Sequence, residues 1–509
     1  MTAPIHFDPT RLAAALARTP GRYPLFIDGK SVEAADGRAI ERIGPAHGVV
    51  VSRYAHAGPI ELDRALAAAR RAFDHGPWPK TTAAERARVL HRAADRIEAD
   101  AELIATLDVL ESGKPIAQAR AEIAGAVDIW RYAAGLARDL HGDSTTAMGE
   151  HKLGIVLRDP IGVVSIITPW NFPFLIVSQK LPFALAAGCT AVVKPSEMTS
   201  ASTLLLGEIL AASGLPDGVC NILAGDGPGI GAPMTSDPRV DMVTFTGSTR
   251  VGKATMAAAA PTLKKVVMEL GGKNAQVIFP DADMEAAIDA AVFGAFFNAG
   301  ECCNAGSRLI VHRDCADAFT AGFIAAAARV RVGDPLDEAT RVGSLISPQH
   351  FDLVTGHIDA ARRAGADVVL GGGRLAAATG HFLAPTLVAA ADPAMAIARD
   401  EVFGPVATLM RFDTPAEAAA IANGIDYGLS ASVWSRDFDT CIGLSRQIRA
   451  GTIWTNTFMD GAAELPFGGF RQSGLGRELG RNAVADYTEE KTLHLHCGPR
   501  TAWWTPRAA

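Results

Sequence analysis

Short runs of β-branched and apolar residues, each closed by a turn signal, recur from Ile161 onward and constrain this chain more than any other feature. GVVSIIT (162–168), TAVVK (190–194) and DMVTF (241–245) are of this type, and they alternate with longer helical stretches. Continuous apolar runs of that length suit strands buried on both faces of a parallel sheet. Their β-α-β alternation predicts an open parallel sheet with helices on both sides. The pattern resumes at AQVIF (275–279) and RLIVH (308–312), so a second α/β unit is predicted to begin near Gly272.

Ahead of these units, Glu61 to about Ala137 reads as helix-rich. Leu90, Ala94 and Ile97, then Leu103, Leu107 and Leu110, repeat at helical spacing. Leu140–Pro160 and Tyr487–His496 fit neither unit. Both carry alternating strand-like residues, Leu153, Ile155 and Leu157 in one and Leu493 and Leu495 in the other. They are predicted to pair with each other and to reach towards another subunit.

Composition excludes several function classes. A net charge of −7 over 509 residues, without a basic run, argues against a nucleic-acid surface. No run of about 20 apolar residues is available to span a bilayer. The N-terminus lacks the continuous apolar stretch of a signal peptide, so a cytoplasmic protein is expected. Seven cysteines without a C-x-x-C pair predict reduced thiols rather than a disulfide framework or a zinc site.

Several local patterns carry chemistry. In DMVTFTGSTRVGK a strand ends near Phe245, and Thr246-Gly247-Ser248 opens a helix whose free N–H groups suit a pyrophosphate. Read alone, it is equally a glycine turn capped by Ser248. It also approaches a P-loop, but Ala254 stands where a magnesium-binding hydroxyl is needed. GDGPGIG (225–231) lacks the G-x-G-x-x-G spacing, because Ile230 replaces the third glycine. In TAVVKPSE a strand delivers Lys194 and Glu197 to its carboxyl end, where open sheets bind ligands. A carboxylate there accepts bonds from ribose hydroxyls and repels a 2′-phosphate; a solvated turn is the plainer alternative. Cys302 and Cys303 sit in a glycine-bracketed loop that leaves room for a substrate. Glu269 closes a strand before two glycines, as suits a general base, and Asn171 is read at the end of another strand as a neutral donor for an oxyanion.

Taken in order, ESGKP (111–115), PWNFP, KPSE, FTGST, ELGGK, GECCNAGSR, EVFGP and PFGGFRQSGLGRE resemble the aldehyde dehydrogenase superfamily over most of the chain. The resemblance implies a Rossmann-like dinucleotide-binding domain (1–139 and 161–271), an α/β catalytic domain (272–486) and a β oligomerisation arm with the C-terminal tail (140–160 and 487–509). It places the nucleophile at Cys303, with Glu301 where the family has Gln. It implies oxyanion donors at Asn171 and the Cys303 N–H, a general base at Glu269, and a proton relay through Lys180 and Glu478. The cofactor, NAD with NADP possible, is implied against Ile167, Thr168 and Trp170 and against Lys194, Ser196 and Glu197. Gly227 and Gly231, then Phe245, Thr246, Gly247, Ser248 and Val251, together with Leu270, continue that surface. Glu401 is implied at the nicotinamide ribose and Phe403 beside the nicotinamide.

The implied reaction is oxidation of a small-molecule aldehyde to its acid through a hemithioacetal and a thioester. Gln179 supplies neither an aromatic ring for a cationic amine nor a cation for a carboxylate. A neutral aliphatic or aromatic aldehyde, or an aminoaldehyde such as betaine aldehyde, is therefore expected, with Asp460 or Glu464 available to attract a cation. The rivals are a CoA-acylating relative, an inactive binding protein and a P-loop NTPase. Family resemblance also implies a homodimer or homotetramer, and the tail bearing Trp503 and Trp504 is read as disordered or as docking on a neighbour.

Overall fold

The computed structural model describes residues 4–389, 392–499 and 504–505. The apolar runs form two mixed sheets whose centres are parallel. In the first, of eight strands, the order from edge to edge is Gly474–Leu475, Lys265–Glu269, Met242–Thr246, Val163–Ile167, Thr190–Lys194, Cys220–Ile222, Leu25–Ile27 and Lys30–Val32. The five strands from Lys265–Glu269 to Cys220–Ile222 run parallel. Val163–Ile167 and Thr190–Lys194 are buried along their whole length, which is why they read as unbroken apolar runs rather than as alternations.

The second sheet has seven strands: Asp367–Leu370, Thr386–Ala389, Val406–Phe412, Arg308–His312, Ala275–Ile278, Ser430–Trp434 and Thr452–Thr455. Only Asp367–Leu370 pairs antiparallel within it. Helices Pro59–Asp74, Ala83–Ala99, Ala101–Ser112 and Ile116–Leu136 occupy the segment read as helix-rich. Leu90, Ala94 and Ile97 are fully buried, and the stripe joins the core of the first sheet. The mixed α/β class is therefore that expected from the strand-and-helix alternation.

One edge strand of the first sheet crosses the division between the two units. Leu25–Ile27 and Lys30–Val32 extend one edge of the first sheet, and Gly474–Leu475, from the second half of the chain, closes the other. Such short strands at a sheet edge leave almost no periodicity to read. The two segments left over in the sequence do pair: Thr488–His496 runs antiparallel to Lys152–Pro160, and Asp143–Thr145 adds a third strand. Residues 500–503, among them Trp503, lie outside the described residues, and Trp504 is exposed. No helix among the described residues is long and apolar enough to cross a membrane.

Candidate active site

Parallel pairing sets the carboxyl ends of four strands side by side. Ile167 is in register with Lys194 and with Phe245, and Thr246 with Glu269. At about 4.8 Å per strand, the row from Lys194 to Glu269 spans roughly 15 Å. Thr168 and Thr246 carry buried hydroxyls there without a protein partner. The Lys194 ammonium is buried, donates to the Pro195 and Gly225 carbonyls at 2.9 Å, and stands 3.7 Å from Glu197. Ser196 is buried, and the Glu197 side chain is half-exposed beside it.

Ser248 caps the helix Thr249–Ala259 by accepting from the Val251 N–H at 3.4 Å. The Gly247 N–H is spent on the Glu269 carbonyl at 3.1 Å. Gly252 lets that helix close on Leu270, whose methyl lies 2.4 Å from where a Cβ would stand. Gly227–Gly231 forms a single wide turn capped by Asp226. A Cβ at Gly231 would sit 3.3 Å from the Lys194 side chain, whereas Gly227 faces open space. Unpartnered hydroxyls, a capped helix start and glycine-lined approaches together fit a dinucleotide laid along this edge.

The thiol arrives from the other sheet. Before the strand Arg308–His312 the chain turns through Asn298 and Ala299, both left-handed at φ 51° and 54°, and delivers Cys302 buried and Cys303 half-buried. Asn274 pins this loop, donating to the carbonyls of Cys303 at 2.7 Å and Ala305 at 3.0 Å while accepting from the Ser430 N–H. Gly272 must be glycine, since a Cβ there would meet the Cys303 carbonyl at 2.5 Å. The Cys302 side chain, burial and the charge of Glu401 all push the Cys303 thiol well above its ordinary value.

Glu269 is buried, and neither carboxylate oxygen has a protein partner. Burial, aided by Glu478, raises its carboxyl well above the usual range; Lys180 opposes this, and Cys303 lies close enough to add to it. Lys180 and Glu478 form a fully buried ion pair, with the Lys180 ammonium also donating to Thr244 at 3.0 Å. Glu401 accepts from the Gly272 N–H at 2.9 Å, and burial carries its carboxyl up to about 7. Electrostatic influence thus links the sulfur to both Glu269 and Glu401.

Asn171 differs in detail from the sequence reading. The strand ends at Ile167, and Asn171 lies in the turn before the helix Pro173–Ser178. Its amide donates to the Glu301 carbonyl at 3.1 Å, which leaves the second hydrogen of the NH₂ for a ligand. Its own carbonyl is held by Lys114 at 2.8 Å and Asn298 at 3.1 Å. Lys114 is buried, paired with Glu122 at 2.5 Å and 4.4 Å from the Phe172 ring. Phe172, Ile176, Cys302 and Ala305 make an apolar cluster with Leu175, Phe297 and Met459 against it. Trp170 meets Phe403 edge to face at 5.4 Å. Gln179 is half-buried at the end of the Pro173–Ser178 helix, and Asp460 is engaged by Thr457.

Local sequence offered no sign of Asn274, Asn298 or His350: the partners that bring Asn274, His350 and, through Asn171, Asn298 to the site are remote in the chain. Lys114 stood in ESGKP, but nothing there shows that its ammonium reaches Asn171. Glu301 bonds the Ile346 N–H at 3.0 Å rather than either thiol, and its effect on the Cys303 thiol is not among the causes that raise it.

Two parallel-centred sheets, a ligand edge suited to a dinucleotide and a thiol near two desolvated carboxylates mark the class of α/β oxidoreductases. The aldehyde dehydrogenase family description matches residues 32–493. The chain belongs to the aldehyde dehydrogenase family. It is 41% identical over 479 residues to aldehyde dehydrogenase family 2 member C4 of Arabidopsis thaliana, covering 93% of this chain and 95% of that protein. Among solved structures, an NAD-dependent aldehyde dehydrogenase from Sinorhizobium meliloti superposes with a TM-score of 0.96 at 46% identity, covering 99% of each chain. Betaine aldehyde dehydrogenase from Staphylococcus aureus, solved in complex with NAD+, gives 0.95 at 34% identity, covering 98% of this chain and 100% of that one.

Proposed function

We propose that this chain oxidises an uncharged aliphatic or aromatic aldehyde to its carboxylic acid with NAD+, through a thioester on Cys303. The observation that carries the reading is the half-buried Cys303 sulfur, close enough to two desolvated carboxylates, Glu269 and Glu401, for their charges to act on one another. A thiol raised this far is protonated at rest, so it needs a base, and Glu269 is the carboxylate without any other partner.

Glu269 takes the thiol proton, directly or through a water, and the thiolate adds to the aldehyde carbon. The oxyanion of that hemithioacetal is received by the free N–H of Asn171 and the Cys303 backbone N–H; one such donor is typically worth about 10²–10³ in rate. A bound nicotinamide dinucleotide supplies the acceptor for the hydride that leaves as the hemithioacetal becomes a thioester. Glu269 then deprotonates the water that cleaves the thioester, releasing the acid and returning the thiolate. Glu478 and Lys180, buried behind Glu269, pass its proton outward.

Within the cofactor site, Lys194 and Glu197 would hold the adenosine ribose, the Ser248 helix start would receive the pyrophosphate, Glu401 would hold the nicotinamide ribose, and Trp170 with Phe403 would border the nicotinamide. The half-exposed Glu197 carboxylate favours NAD+ over a 2′-phosphorylated dinucleotide. Val251, whose N–H the Ser248 cap receives, is partly exposed.

The apolar cluster beside Cys302 and the neutral Gln179 favour an uncharged aldehyde. An aminoaldehyde such as betaine aldehyde is the second reading, favoured by the betaine aldehyde dehydrogenases among the relatives. The unpartnered Glu269 favours transfer to water over CoA. The three-stranded arm, exposed along most of Thr488–His496, suits assembly into a dimer or tetramer. The free cysteines suit a cytoplasmic enzyme.

An aldehyde panel assayed for NADH and acid, without CoA, tests the proposal. Acid and NADH in equal amounts, lost in Cys303→Ala, are expected. Unchanged turnover in Cys303→Ala, or acid formed only when CoA is present, overturns it.

A further inference from the structure

Phe403 holds φ at 57°, a left-handed conformation that an aromatic residue adopts only when its surroundings impose it. His350, near the start of the helix Pro348–Arg363, places Nε2 at 2.6 Å from the Phe403 carbonyl. A carbonyl accepts, so Nε2 carries the proton and donates. The same ring packs at 5.4 Å from Trp170 and 6.0 Å from Phe403, which are themselves 5.4 Å apart, so the three rings brace one another. The Glu301 carboxyl stands 3.6 Å from the same Nε2, and Glu301 directly precedes Cys302 and Cys303.

We propose that His350 is a positioning residue for the nicotinamide end of the cofactor site, holding the Phe403 turn in the geometry that receives the ring. The inference rests on the cofactor reading above and goes beyond it, since His350 itself need touch neither cofactor nor substrate. Its essential atom is the Nε2 donor. Without it the Phe403 carbonyl, in a half-buried setting, loses its hydrogen bond and the left-handed turn loses its restraint. The ring alone, without the donor, leaves the packing intact but not the turn.

Two variants separate these contributions. His350→Phe keeps a ring and removes the donor, while His350→Gln removes the ring and keeps an N–H that can reach the carbonyl. NAD+ binding is measured directly by calorimetry on the full-length enzyme, and Cys303 alkylation by iodoacetamide without cofactor reports whether the nucleophile loop is intact. A single hydrogen bond lost predicts NAD+ binding weakened about three- to tenfold in His350→Phe. His350→Gln is expected within about twofold of wild type by the same reasoning, with alkylation rates unchanged in both. Wild-type binding in His350→Phe overturns the inference while leaving the cofactor reading standing. Equal loss in both variants, or loss accompanied by altered alkylation, also overturns it, because either marks a general structural role. Failure of the wild-type chain to bind NAD+ overturns the cofactor reading and, with it, this inference.

Discussion

Replacing Lys114 with Met tests the buried clamp behind Asn171. The Lys114 ammonium is fully buried, bonded to Glu122 at 2.5 Å and to the Asn171 carbonyl at 2.8 Å, with the Phe172 ring 4.4 Å away. Removing one partner of a buried pair costs about 3–5 kcal/mol, chiefly because the other charge is stranded. Glu122 limits that cost. Gln118 still donates to its carboxylate at 2.7 Å, which offsets part of the stranded charge. A loss of about 3 kcal/mol is therefore expected. At about 2.1 cal/mol/K per residue, unfolding this chain as one unit carries an entropy of roughly 1 kcal/mol/K, so the midpoint falls by about 3 °C. The functional loss is larger in proportion. Asn171 keeps only the Asn298 bond to its carbonyl, and its amide wanders from the oxyanion, costing about tenfold in kcat/KM. Thermal unfolding and steady-state kinetics on the same preparation read both effects. The double variant Lys114→Met/Glu122→Gln removes the stranded charge and should recover most of the midpoint but little of kcat/KM. A single variant within about 1 °C and about twofold of wild type refutes the clamp.

Glu269→Gln keeps the shape but cannot accept a proton; rapid mixing should show NADH formation at reduced rate and steady-state acid release lowered about 10²–10⁴-fold. Because burial and Glu478 raise Glu269, the basic form needed for catalysis is lost as pH falls through that raised value, giving an acid limb in kcat/KM. Lys180→Met removes the cation that most opposes the shift, so the limb should move to higher pH in a pH–rate profile; an unmoved limb contradicts the assignment. Asn274→Ala strips hydrogen bonds from the Cys303 and Ala305 carbonyls and from the Ser430 N–H, and at about 1 kcal/mol each should cost roughly 3 kcal/mol. Hydrogen exchange over residues 298–306 should rise in that variant, and the Cys303 alkylation rate should change with it.

The sequence by itself determined what can be read from neighbours in the chain. Unbroken runs such as TAVVK announce strands covered on both faces, and Ser248 announces a helix start, because burial and capping are set within a few residues. The order of motifs made the family legible, and with it Cys303 and Glu269 as candidates. Tertiary structure decided what depends on distance in space. Glu269 loses every partner only because the fold buries it beside Glu478, which lies far along the chain. Lys114 reaches Asn171, Asn274 reaches Cys303 and His350 reaches Phe403 only after the chain has folded. Gly474–Leu475 joins the first sheet by pairing with Lys265–Glu269, although two residues carry no period of their own. A strand's environment is written in its own residues, whereas a hydrogen bond between residues remote in sequence depends on a geometry that neither residue encodes locally.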